Sequence, residues 1–268
     1  MLKTPQNELF EDEFPNILIN GKKQAGKTNL ILNIIDNCSN DKTIIIVFCN
    51  TVDVSDMWKF ICDKYRDRIV KYNSIVETDK KTGKPINNLE AFINRMEKKK
   101  RNTEDNNYIV VFDDISDELR NKKVKSLLKH NRHYKAMTII SSQGAKDVLP
   151  GCISQINSCI LLNGIPKESI GHIHKNLNLF VPIDKFQSMY EEATMIPYSF
   201  LYCDCDKELF RKNFDLEFEI KEDEPEPPKK INNICKFCNK ISYNNKCDCD
   251  LSSSDDSDGS GSDNSDSE

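Results

Sequence analysis

Asn16-Ile17-Leu18-Ile19-Asn20-Gly21-Lys22-Lys23-Gln24-Ala25-Gly26-Lys27-Thr28-Asn29-Leu30-Ile31 is the stretch whose reading decides the fold. It fits G-x-x-x-x-G-K-[ST] at every fixed position, with a strand-like run ahead of it and the apolar, helix-like run Leu30 to Ile35 behind it. Strand, glycine-bearing loop and helix start, in that order, make a phosphate cradle. The glycines let successive backbone N–H groups curl round an anion, and the helix start adds unpaired donors and the positive end of its dipole. In such a loop, here Gly21 to Asn29, Lys27 is placed to reach the β- and γ-phosphates of a nucleotide and the Thr28 hydroxyl to ligate Mg²⁺. ATP and Mg²⁺ are therefore the expected cofactors.

Moving outward, Thr43 to Cys49 (TIIIVFC) is a continuous apolar run rich in β-branched residues, which reads as a strand covered on both faces. With the preceding helix it completes a right-handed βαβ unit, so the sheet should be parallel. Asp56 to Tyr65 reads as a helix, Arg68 to Tyr72 as a strand, Lys80 to Pro85 as a loop and Leu89 to Lys100 as a helix. Lys98 to Arg101, four bases in a row, suits a solvated helix end, where cations complement the dipole. Tyr108 to Asp114 (YIVVFDD) is the second decisive stretch, a strand that delivers two carboxylates to its C-terminal end, where ligands sit in open α/β sheets. This is a Walker B signature: Asp113 would hold Mg²⁺ and Asp114 would polarise the attacking water.

Glu118 to Lys129 reads as a helix opening the most basic segment of the chain, which ends in His130, Arg132, His133 and Lys135 and is expected beside the catalytic edge. Ala136 to Ser142 is another covered strand, and Gln143 at its end is placed to hydrogen-bond the attacking water or the γ-phosphate. Further strands are expected over Ile156 to Leu162 and, last, Tyr198 to Cys203, with helices over Pro166 to Asn176 and Pro182 to Glu191.

Composition sets bounds on this reading. The 268 residues suit one α/β domain plus something small. No apolar run approaches the roughly 18 residues of a membrane span, and the N-terminal fifteen residues lack a signal-peptide pattern. A soluble protein in a reducing compartment follows, and most of the eleven cysteines read as thiols. The net charge of −5 includes six acids within Leu251 to Glu268, so the rest of the chain sums to +1.

The two motifs, together with Leu127-Leu128-x-x-Asn131-Arg132-His133 and Thr138-Ile139-Ile140-x-x-Gln143, resemble the genome-packaging ATPases of poxviruses and other large cytoplasmic DNA viruses, within the FtsK/HerA superfamily. The resemblance runs from about Phe14 to Leu177. It implies an α/β fold: a three-layer P-loop NTPase of the ASCE type with a mainly parallel sheet. It also implies a ring of identical subunits that pumps double-stranded DNA into a preformed capsid, in the virion or in a viral factory of the host cytoplasm, with a capsid vertex or portal-type protein as partner. Lys27, Asp114 and Gln143 would carry hydrolysis, and an arginine would reach a neighbour's site, Arg132 first and Arg120 second. Asp114 stands where the superfamily commonly has Glu, and Lys22 to Ala25 stand where small residues are usual.

The ATPase domain is assigned to residues 1–220 and an acidic, Pro-rich linker to 221–233. In 234–250, Cys235-x-x-Cys238 and Cys247-x-Cys249 form two close thiol pairs, a set that suits tetrahedral Zn²⁺, with free thiols as the alternative. Residues 251–268, rich in Ser and Asp, cannot bury a core and should be disordered. Two other functions fit the same motifs: an ATP-binding switch that recruits a partner through its cysteine tail, and a nucleotide kinase, which would need a lid with more arginines.

Overall fold

The computed structural model of the protein describes residues 9–10, 12–101, 106–144 and 146–219. Strand β1 (Asn16–Asn20) leads into α1 (Lys27–Cys38), followed by β2 (Thr43–Cys49), α2 (Asp56–Lys64) and β3 (Ile69–Tyr72). A small hairpin of β4 (Val76–Thr78) and β5 (Pro85–Asn87) precedes α3 (Asn88–Arg101). Next come β6 (Asn107–Asp113), α4 (Lys122–His130), β7 (Ala136–Ser142), α5 (Pro150–Ile153) and β8 (Ser158–Leu162). Helices α6 (Lys167–Leu177) and α7 (Ile183–Ala193) then lead to β9 (Phe200–Asp204), β10 (Leu209–Lys212) and β11 (Leu216–Glu217).

One sheet runs in the order β11-β10-β9-β8-β1-β7-β6-β2-β3. It is parallel from β8 to β3 and antiparallel from β8 to β11. The parallel strands are apolar on both faces because helices cover both. Ile17, Ile19, Ile45, Val47, Ile109, Val111 and Ile139 pack under Ile31, Ile34 and Ile35 of α1 and Trp58 and Ile61 of α2. The alternate residues, Leu18, Ile46, Phe48, Val110, Phe112 and Ile140, face α3 to α7, among them Leu127 of α4 and Phe186 of α7. Two cores separated by one sheet make the three layers.

The order places β7 between β1 and β6, with Ile17 opposite Ile139 and Val110 opposite Thr138. At about 4.8 Å per strand, the carboxylates that end β6 lie roughly 10 Å across the sheet from the end of β1, and the end of β7 fills the gap. The α/β reading with a mainly parallel sheet holds, but several local expectations need correction. The helix expected from Glu118 begins at Lys122, after a 3₁₀ turn over Ser116–Glu118, because the Asn121 side chain caps it by accepting from Lys123 N at 2.9 Å. The loop expected from Lys80 is present, as the tip of the β4–β5 hairpin, and only its last residue, Pro85, belongs to a strand. Cys203 lies in β9, but β9 is not the last strand: β10 and β11 add an antiparallel edge of four and two residues, too short to show a period.

Contacts group the chain into a unit through Phe218 and a second comprising Glu219–Glu268. The linker, Cys235, Cys238, Cys247, Cys249 and the acidic tail lie outside the described residues. No helix among the described residues is long and apolar enough to cross a membrane.

Candidate active site

Parallel topology sends the ends of β1, β6 and β7 to one edge of the sheet, and a cleft of roughly 350 Å³ opens there. Lys23, Gln24, Gly26, Lys27, Thr28 and Asn29 line one side, and Asp113, Asp114, Ser141 and Gln143 line the floor and the far side. Gln24 and Gly26 turn through positive φ, 64° and 96°, which folds the loop tightly enough to start α1 at Lys27. A side chain at Gly26 would press on Tyr198, whose Cδ1 lies 3.2 Å from the position of a Cβ there. Gly21, Lys22 and Ala25 shape the loop without lining the cleft; the Lys22 stem lies across Gly164 instead.

Lys27 Nζ donates to Gly21 O at 2.8 Å and Lys22 O at 2.9 Å, so its ammonium is folded back over its own loop. Burial lowers its pKa below the ordinary lysine value, and the facing carboxylates of Asp113 and Asp114 oppose that shift. A polyphosphate would offer this ammonium stronger acceptors than two carbonyls.

Thr28, in the first turn of α1, reaches across the end of β7 to Asp113. The Thr28 hydroxyl donates to Asp113 Oδ2 at 3.1 Å, and the indole Nε1 of Trp58 donates to the same oxygen at 3.0 Å. Asp113 is 5% exposed, whereas Asp114 faces the open cleft. Asp114 adopts φ 52°, the left-handed region, and its carbonyl accepts from Asn50 Nδ2 at 3.2 Å. The Ser141 hydroxyl lies buried in the cleft without a hydrogen-bond partner among the described residues. A hydroxyl beside a carboxylate, with a further orphaned hydroxyl, is an oxygen-rich donor set that fits a hard divalent cation carrying its own water.

The sequence-predicted residues Lys27, Thr28, Asp113, Asp114 and Gln143 thus come together. Arg132 does not join them. It sits in the 3₁₀ turn before β7, at the opposite end of the sheet, paired with Asp12 at 2.9 Å. The basic segment is split by α4, which carries only its start, at Lys122 and Lys123, to the catalytic edge. Arg120 is on that edge, exposed, donating to Lys146 O at 3.3 Å. Sequence reasoning missed Trp58, Ser141 and Tyr198. Trp58 was legible in part as the only tryptophan, three residues after Ser55, which caps α2. Tyr198, 71% exposed at φ 67°, is not the start of the last strand expected over Tyr198 to Cys203 but lies in the loop between α7 and β9, which begins at Phe200.

The family described as Poxvirus A32 protein matches residues 1–193. The chain belongs to that family. The match reaches beyond Leu177, where the motif resemblance stopped, to the end of α7. No curated protein matches the chain. Among solved structures, the genome packaging NTPase B204 of Sulfolobus turreted icosahedral virus 2, in complex with AMP, aligns at 16% identity and TM-score 0.51, covering 75% of this chain and 96% of its own. Its complex with AMPPCP aligns at 14% identity and TM-score 0.51 over 79% and 100%. B204 of Sulfolobus Turreted Icosahedral Virus, described as a DNA-packaging ATPase, aligns at 18% identity and TM-score 0.51 over 75% and 97%. These likenesses show that this member of the A32 family shares the B204 fold.

Proposed function

We propose that the protein is an ATP-hydrolysing motor that drives double-stranded viral DNA into a preformed capsid, working as a homo-oligomeric ring against a capsid vertex or portal-type protein in the host cytoplasm or virion. The observation that carries the ATPase reading is the convergence of Lys27, Thr28, Asp113, Asp114 and Gln143 on one cleft. Membership of the A32 family and the DNA-packaging ATPases among its fold relatives support the motor reading.

In this reading the loop from Gly21 to Asn29 wraps the phosphates, and Lys27 moves from its carbonyls to the β,γ-bridge region. Thr28 and Asp113 would hold Mg²⁺, which neutralises charge on the phosphates when bound. Asp114 accepts a hydrogen bond from the attacking water and draws off its proton as the new P–O bond forms and the β,γ bond breaks, releasing ADP and phosphate. Gln143, between loop and carboxylates, orients that water. Catalysis is positioning and charge stabilisation, with no covalent enzyme intermediate.

A neighbouring subunit would supply an arginine. Arg120, exposed on the catalytic edge, takes precedence over Arg132, which would have to give up Asp12. The finer organisation belongs to the same proposal: an ATPase domain over 1–220, a linker over 221–233, and a Zn²⁺ site of Cys235, Cys238, Cys247 and Cys249.

The test is steady-state ATP hydrolysis with and without double-stranded DNA, for the full chain and for Lys27→Ala, Arg120→Ala and Arg132→Ala. Duplex DNA should stimulate turnover, and Lys27→Ala should abolish it. An equimolar mixture of Lys27→Ala with the variant of the trans-acting arginine should recover part of the rate, since some interfaces then pair an intact loop with an intact arginine. Turnover indifferent to DNA, with both arginine variants fully active, would move the function to an ATP-binding switch.

A further inference from the structure

The β4–β5 hairpin leaves the sheet at the catalytic edge and buries almost nothing of itself. Val76 and Ile86 are 43% and 42% exposed, and Glu77, Thr78 and Pro85 are exposed too. A lone two-stranded ribbon is marginal in water, so its conformation is set at its two ends.

The tip is built to face its lysines outward. The Asp79 carboxylate accepts from Lys81 N at 2.7 Å and Thr82 N at 2.8 Å. Asp79 N donates to Lys84 O at 2.9 Å, and Gly83, at φ 66°, donates to Asp79 O at 2.8 Å. The acid of the turn is thus consumed by its own backbone, while Lys80, Lys81 and Lys84 are exposed and paired with no carboxylate among the described residues.

The base is tied to the ATP site. Ser74 Oγ lies 2.8 Å from both carboxylate oxygens of Glu118, and Ile75 N and Val76 N donate to Glu118 Oε2 at 2.6 and 3.3 Å. Glu118 ends the 3₁₀ turn that follows Asp113 and Asp114. Within that short link, Ser116 lines the ATP cleft and Ile115 is buried in the core. Asp114, in its left-handed conformation, is the joint between β6 and this turn. A displacement of Ser116 on filling or emptying the cleft would have this route, through Glu118, into the base of the hairpin.

We propose that the tip of the β4–β5 hairpin, through Lys80, Lys81 and Lys84, grips the phosphate backbone of duplex DNA, and that Glu118 couples this grip to the Asp113–Asp114 loop. The inference rests on the motor reading and names the surface that meets the DNA. Phosphate contact without base contact suits a machine that must move any sequence.

The experiment compares the full chain with Lys80→Ser/Lys81→Ser/Lys84→Ser and with Glu118→Gln. It measures affinity for a fluorescent duplex across a salt series, and ATP hydrolysis with and without that duplex. Each lysine that neutralises a phosphate contributes about 0.9 to the slope of log affinity against log salt, so the triple variant should lose up to about 2.7 of that slope. Its DNA-free hydrolysis should be unchanged, and DNA should no longer stimulate it. Glu118→Gln should bind the duplex like the parent, yet its turnover should fail to respond. A triple variant with the parent's salt slope and stimulation overturns the hairpin assignment while leaving the motor reading intact. A parent chain that neither binds nor responds to duplex DNA overturns both.

Discussion

Asp113 Oδ2 receives two hydrogen bonds, and the donors differ in what they can do next. Thr28 has lone pairs to give a cation and can turn its hydroxyl away; the Trp58 indole can only donate. On the proposed function, Trp58 would therefore be a positioning residue that keeps the carboxylate aimed while Thr28 turns to a cation. Trp58→Phe keeps the buried ring and deletes the N–H. A hydrogen bond to a charged group is worth about 1.5–3 kcal/mol, and about 1.4 kcal/mol is tenfold in binding, so half-maximal hydrolysis should need about tenfold more Mg²⁺. ATP binding in the presence of a chelator should stay at the parent's level, which separates loss of aim from loss of fold. An unchanged Mg²⁺ requirement would reduce Trp58 to a core side chain. The bond could not have been read from the chain, because a helix 55 residues upstream supplies the donor. By contrast, Lys27, Thr28, Asp113 and Asp114 were legible, since a glycine loop running into a helix start and a strand ending in carboxylates are local patterns of the kind that phosphate and magnesium chemistry would require.

At the level of elements, legibility followed burial. The strands β1, β2, β6 and β7 are covered on both faces, so their apolar runs have no competing interpretation. The β4–β5 hairpin buries too little to leave a pattern, and the β10–β11 edge, which does bury Phe210, is too short to leave one. The start of α4 was misplaced because Glu118, a good helix former, is committed to Ser74 and Ile75 instead. The basic run was misread for a geometric reason: a nine-residue helix is about 13 Å long, enough to carry Arg132 from one edge of the sheet toward the other. Within β7 the structure also shows an unpartnered group with no place in the cleft. Thr138 is 0% exposed on the face toward α4, and its hydroxyl has no hydrogen-bond partner among the described residues. Leaving such a group buried costs about 1–3 kcal/mol, whereas a methyl there costs nothing in solvation. Thr138→Val should therefore stabilise the fold by about 1 kcal/mol and raise the melting temperature by about 2–4 °C. A lowered melting temperature would mean that the hydroxyl is satisfied in solution.

At the scale of the molecule, among the described residues both hydrophobic clusters and the side chains packed on them fall within Leu9 to Phe218, and those that line the cleft fall between Lys23 and Tyr198. Among the described residues the last strand of the sheet is β11, ending at Glu217. Folding and basal hydrolysis should therefore be properties of the chain up to Glu219, and the remaining residues, with their paired thiols and six terminal acids, should act on partners or on assembly. A chain ending at Glu219 should keep the full chain's DNA-free ATPase rate and melting temperature. The full chain, purified without chelator, should carry one zinc per polypeptide by elemental analysis, and the shortened chain none. Because the acids beyond Leu251 repel a polyanion, removing them should also tighten duplex binding at low salt and change it little at high salt. A collapse of the basal rate on truncation would place part of the tail inside the folding unit. Equal zinc content in both chains would remove the metal from the four tail cysteines.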